Sequence, residues 1–141
     1  MVLHLTVAAM WLGSMAYSLV VVQPRVTRFF PDEADRERFL LTLAHGNRRP
    51  VLALVAMLIA TAAGVLATAP ALRVVIGYAV ALGLYGAAAG IFADVSWRHW
   101  PARIFALPRE LASFRRGLRV RAWAMLCLVG TAFVTALSVS V

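Results

Sequence analysis

The sequence predicts an all-α fold: an integral membrane four-helix bundle, one domain over residues 1–141. Three observations predict it. Residues 2 to 22 carry no charged side chain, and three more long apolar stretches follow. Hydrophobic residues make up 62% of the chain, at a mean hydropathy of +0.83. The arginines crowd into two of the three connections between the apolar stretches. A spanning helix needs about 20 apolar residues. Four such segments, at about 2–22, 51–69, 71–93 and 122–141, use more than half the chain. Too little remains for a separate soluble domain, and a soluble chain of this size has too much surface for four helices so free of charge.

The first segment has no basic stretch ahead of it and exceeds the roughly 7–15 apolar residues of a leader peptide, so it is read as a span. Gln23, Pro24 and Arg25 end it, because proline removes a donor from the helix ladder and arginine marks headgroup depth. The first connection runs to Pro50 and carries Arg25, Arg28, Arg36, Arg38, Arg48 and Arg49. Within it, Pro31, Asp32 and Glu33 form a helix start, with acids facing the positive end of the macrodipole. The stretch 32–44 that follows, with Phe39, Leu40 and Leu43, is expected to lie on the bilayer surface.

The second span closes in a tight turn around Pro70, with only Arg73 nearby, and the third ends at Asp94. The last connection, to Arg121, carries Arg98, Arg103, Arg109, Arg115, Arg116, Arg119 and Arg121. There Leu107, Leu111, Phe114 and Leu118 share a helical face, most of the arginines lie off it, and Pro108 suits a first turn. This predicts an interfacial amphipathic helix. Trp97, Trp100 and Trp123 suit the membrane–water boundary.

The formal net charge is +8, and all 14 basic residues are arginine. In a soluble protein that balance suggests nucleic acid. Here the positive-inside rule accounts for it: six and seven arginines in the first and third connections against one in the second place those two loops in the cytoplasm and both termini outside. The expected location is the cell inner (plasma) membrane, multi-pass. The expected partners are the lipid bilayer, anionic headgroups at the cytoplasmic arginines, and membrane proteins or a second copy, with no nucleic acid.

Lipid offers helices no hydrophobic drive to associate, so close approach must supply it. Small residues recur four apart as Ala56, Ala60 and Gly64, as Ala79, Gly83 and Ala87 beside Gly86 and Gly90, and as Ala132, Ala136 and Ser140. They are expected to form the internal seams, and leucine at Gly86 or Gly90 to block them.

Few residues carry chemistry. His4 and Trp11, seven apart, share one face of the first helix. Gly13 admits a neighbouring backbone, and Tyr17 adds a hydroxyl within the span. A neutral imidazole at His4 has the chemistry to hold copper or haem iron or to join a proton path, or simply to bond water or a neighbouring helix. His45 and His99 fall at the opposite membrane face, where they can meet each other but not His4. These three histidines are the candidate metal ligands. Asp94 is the only acid near the body of a span, and Arg98 one turn later can pair with it. That pair either pins the helix or belongs to a proton or cation relay. Cys127 is the only cysteine and makes no internal disulfide. The chain has no phosphate loop, nucleophilic triad or paired catalytic carboxylates.

His4, Trp11 and Gly13 within HLTVAAMWLG, followed by Pro24, resemble the opening of the bacterial copper-resistance D-type (CopD-like) membrane domains. A more distant likeness is to the haem-binding membrane protoporphyrinogen oxidase family, which also opens with a histidine and a tryptophan seven apart. The resemblance covers about 25 residues and implies a small inner-membrane bundle linked to copper or haem b. It makes His4 the candidate ligand, with Trp11 and Gly13 shaping its surroundings. The oxidase family uses a lysine in a later helix, and this chain has none. Three functions therefore stand: copper or haem handling, an accessory subunit of a larger membrane complex, or a small proton- or cation-coupled transporter. None requires an enzyme.

Overall fold

The computed structural model describes residues 1–69, 71–104 and 110–141. The expected turn at Pro70 and the placements of Leu107, Pro108 and Arg109 lie outside them. The described chain is all-helical, built on four helices long and apolar enough to cross a membrane: α1 (Val2–Phe29), α2 (Glu33–Thr68), α3 (Leu72–Ala102) and α4 (Leu111–Ser140). Each packs on its neighbours in sequence, and α1 also packs on α4, which closes the ring. The α3–α4 seam is the most extensive.

Local chemistry sets the ends. Asp32 caps α2 by accepting the Asp35 amide N–H at 3.0 Å, with Glu33 and Asp35 in the first turn. Phe30 and Ala69 leave helical geometry immediately before Pro31 and Pro70, as a residue preceding proline tends to do.

Pro24 does not end the first helix. The backbone widens into a π turn at Ser18–Val22, where Gln23 N–H reaches back to the Ser18 carbonyl, and α1 then runs on to Phe29. The wider turn relieves the clash of a proline ring with the preceding turn. α3 repeats the device, with a π turn at Val95–His99 ahead of Pro101. The expected surface helices are likewise not separate elements. The stretch 33–44 is the first part of the 36-residue α2, and 111–121 the first part of the 30-residue α4. At 1.5 Å per residue these helices are about 54 and 45 Å long. They outreach a hydrocarbon core of about 30 Å, so the arginine-rich segments project from the apolar rods as helix.

The core runs as a stripe along each helix: Val7, Ala8 and Trp11 from α1; Leu58, Ala62 and Val65 from α2; Val74, Tyr78, Ala81, Tyr85 and Ala88 from α3; Met125, Val129, Ala132 and Ala136 from α4. Ala132 and Ala136 thus face inward as expected. Ala56, Ala60 and Gly64 face outward, as do Ala79, Gly83, Gly86, Ala87 and Gly90. On the inner faces of α1 and α3 the small residues that are buried are instead Ala8, Gly77, Ala81 and Ala88, interleaved with His4, Trp11, Tyr78 and Tyr85. The crowded glycine is Gly77, where a Cβ would lie 2.6 Å from Val139 Cγ1. At Gly86 and Gly90 a Cβ meets nothing within 4 Å, so neither position is a close approach of the kind seen at Gly77.

Candidate functional site

Polar side chains gather at the two ends of the bundle. The first cluster lies at the end that carries both termini. His4 is 1% exposed, and its Nδ1 lies 2.9 Å from Thr61 Oγ1. Thr61 hands its own proton to the Met57 carbonyl at 2.7 Å, so its oxygen is left to accept. The tautomer that satisfies both groups carries the imidazole proton on Nδ1 and leaves a lone pair on Nε2. That Nε2 is buried and has no hydrogen-bond partner among the described residues.

Two tyrosines flank the imidazole, with ring centroids 5.1 Å away for Tyr78 and 5.8 Å for Tyr85. Tyr78 is anchored. Ser140 donates to the Ala136 carbonyl, so the Tyr78 hydroxyl donates to Ser140 Oγ at 3.0 Å. The Tyr85 hydroxyl is buried without a partner among the described residues. Trp11 stacks against Tyr85 at 6.2 Å. Beside them an open cleft of about 210 Å³ is lined by Trp11 of α1, Leu58 of α2 and Leu82, Tyr85 and the outward-facing Gly86 of α3, among others, but not by His4.

The four residues expected to form one site, His4 and three others, divide. His4 and Trp11 point into the core, whereas Gly13 and Tyr17 lie on the outer surface, Tyr17 being 61% exposed. An α-helix cannot place positions 4, 11, 13 and 17 on one narrow stripe. The sequence reading did not include Thr61, Tyr78 and Tyr85. A signal existed: Tyr78 and Tyr85 are seven apart on α3, the spacing that marked His4 and Trp11 on α1.

The second cluster lies at the arginine-rich end. Asp94 pairs with Arg121 at 3.3 Å and with Arg98 at 3.9 Å. Arg121 also donates to His99 Nδ1 at 3.0 Å, and His99 packs between Phe114 and Trp100. The expected Asp94–Arg98 pair is therefore present, but Arg121 is the closer cation, joining α4 to α3. His45 is exposed and bonds the Leu41 carbonyl of its own helix. No contact brings it to His99 among the described residues, and no group of three or more His, Cys, Asp or Glu assembles there either.

Arg48 reaches across from α2 to the carbonyl of Ser96 and lies over the Trp97 ring at 5.6 Å. The reason is local. In the π turn Trp100 N–H bonds the Val95 carbonyl, and the next residue, Pro101, has no N–H to offer Ser96. A guanidinium from another helix satisfies that carbonyl instead. Of the three tryptophans expected at a membrane boundary, Trp97 and Trp123 are exposed and Trp100 is buried.

Family models, curated proteins and solved structures offer no match to this chain.

Proposed function

We propose that this chain is a small multi-pass protein of the cell inner membrane that handles monovalent copper at His4. Four long apolar helices and the arginine asymmetry support insertion with both termini outside. One observation carries the copper reading: a buried imidazole with Nδ1 against Thr61 and with an Nε2 that has no hydrogen-bond partner among the described residues. Unprotonated imidazole nitrogen is a good copper donor. A single positive charge costs less to bury than a double one, and apart from Thr61 the described side chains in hydrogen-bond or ring contact with His4 are the aromatic rings of Tyr78 and Tyr85. One strong donor per chain suits an ion in transit rather than a closed structural site.

Haem fits these residues less well. The tyrosine rings occupy the space beside His4, and the neighbouring cavity does not include it. The test is to load the detergent-purified protein with Cu(I) under reducing conditions and, after gel filtration, to measure its copper content and absorption spectrum. About one copper per chain, lost in His4→Ala with helicity intact, supports the reading. Wild-type protein without copper, or equal copper in both, overturns it, and a Soret band favours haem.

A second reading, an accessory subunit or homodimer, draws support from the outward-facing Ala79, Gly83, Ala87 and Gly90. It predicts co-purification with a partner and no metal. A transporter relay through Asp94 has less support, because two arginines hold that carboxylate.

A further inference from the structure

The open cleft beside Trp11 and Tyr85 lies along the groove between α2 and α3, walled by Val55 and Ile59 on one side and by Gly86 and Ala89 on the other. Ile59 and Gly86 are exposed, so the cleft opens on the outer surface of the bundle. Both walls continue toward the arginine-rich end. Arg48 is seven positions before Val55 and so shares its stripe of α2. On α3, Ala93 follows Ala89 by four and leads into the π turn that carries Trp97. The two walls meet there, because the Arg48 guanidinium lies over the Trp97 ring and donates to the Ser96 carbonyl. The groove therefore has a cationic mouth and an apolar interior.

Depth agrees on both helices. Arg48 precedes the apolar stretch 51–69 by three positions, and Trp97 follows the stretch 71–93 by four. That is headgroup depth if the helices span the membrane. The cleft then lies on the hydrocarbon side, with Val55 and Ile59 about 10 and 16 Å further along α2 at roughly 1.5 Å per residue. The charge at the mouth is unopposed. No carboxylate pairs with Arg48 among the described residues, and Asp94, the acid nearest to Trp97 in the sequence, is held by Arg98 and Arg121. Of the Arg48 nitrogens, Nη2 serves Ser96 and Nε is enclosed, whereas Nη1 bonds no described residue and is not enclosed.

We propose that this groove holds one anionic phospholipid, its phosphate on Arg48 beside Trp97 and one acyl chain running between α2 and α3 into the cleft. The arginine's charge selects the lipid class, and the cleft distinguishes a lipid from a free anion. The inference rests on membrane insertion but not on copper at His4.

Native mass spectrometry of the detergent-solubilised protein tests this, with phosphatidylglycerol and phosphatidylcholine of identical acyl chains as probes. About fivefold more bound phosphatidylglycerol is expected, as one arginine at headgroup depth provides. Arg48→Gln should reduce it to the phosphatidylcholine level, and Arg48→Lys should keep the preference. Gly86→Leu places a side chain in the cleft and should weaken both lipids. Arg38→Gln, on an exposed arginine ten positions before Arg48, should change neither. Helicity and a thermal melt on each variant separate a lost site from a lost fold. Equal retention of the two lipids by the wild type would leave only a nonspecific lipid shell and overturns the proposal. So does a preference that survives Arg48→Gln or falls as far in Arg38→Gln, and so does lipid retention unaltered by Gly86→Leu. Displacement of the lipid by millimolar inorganic phosphate overturns it too, because the site would then be one for a free anion. A protein that stays in solution without detergent would instead remove the membrane reading itself.

Discussion

His4 and Tyr85 lie on opposite helices of the bundle with their rings 5.8 Å apart, and each buries a polar atom that has no partner among the described residues. A buried unsatisfied group costs about 1–3 kcal/mol, so packing alone does not explain keeping both. Tyr85→Phe removes the hydroxyl and leaves the ring contacts to Trp11 and His4 in place. Thermal unfolding in detergent should show the variant about 1 kcal/mol more stable than wild type. A loss of stability would mean that the hydroxyl is already bonded.

Thr61 is the hydroxyl that meets the buried Nδ1 of His4, so losing it should appear in folding stability, by about 1–3 kcal/mol, as well as in any copper binding at Nε2. Thr61→Val keeps the shape and removes the acceptor for Nδ1–H. If His4 holds copper as proposed, retention should fall several-fold in this variant and stop short of the complete loss expected for His4→Ala. Wild-type retention in Thr61→Val would separate the threonine from the site.

The four-rod architecture was legible because hydropathy and charge act on long segments, where single-residue effects average out. Helix ends were harder to read. Pro24 would ordinarily break a helix, but a π turn only five residues long absorbs it, and nothing in the composition of Ser18–Val22 announces that turn. The site was half legible. His4 and Trp11 stand out by spacing on one helix, whereas Thr61, Tyr78 and Tyr85 join them only through the mutual rotation of three helices. That rotation also decided which small residues face inward. Gly77 meets Val139, while Gly83, Gly86 and Gly90 meet nothing.

The glycine contrast makes a direct test of the seam between α3 and α4. A Cβ at residue 77 would press on both Val139 methyls, at 2.6 and 2.8 Å. Gly77→Ala should destabilise the bundle by about 1–3 kcal/mol, the usual cost of overpacking. Gly86→Ala should leave stability unchanged or slightly raised. Thermal melts of both variants in one detergent decide it, and the reverse order would place the seam elsewhere on α3.

Arg121 and Arg98 share Asp94 but differ in burden. Arg98 is 86% exposed and among the described residues pairs along its own helix, at 3.9 Å, so Arg98→Gln should be nearly neutral. Arg121 also serves His99, across the α3–α4 junction. Arg121→Gln should cost about 1–2 kcal/mol, and less of that loss should be recovered in high salt than for a solvated pair. Equal melting temperatures for the two variants would reduce Arg121 to an ordinary surface charge.

Arg48 and Pro101 should be energetically coupled although they lie on different helices. The proline denies the Ser96 carbonyl a backbone donor, and the Arg48 guanidinium fills that gap. Arg48→Met should therefore cost about 1–3 kcal/mol, the penalty of an abandoned buried acceptor. Pro101→Ala restores an N–H that can reach Ser96 in the register Trp100 already uses toward Val95. In that background Arg48→Met should cost less than half as much. What remains is its stacking on Trp97 at 5.6 Å, worth about 0.5–1 kcal/mol. A double-mutant cycle by thermal unfolding measures the difference directly. Equal costs in the two backgrounds would mean that the Ser96 carbonyl has another donor and that Arg48 contributes only its stacking.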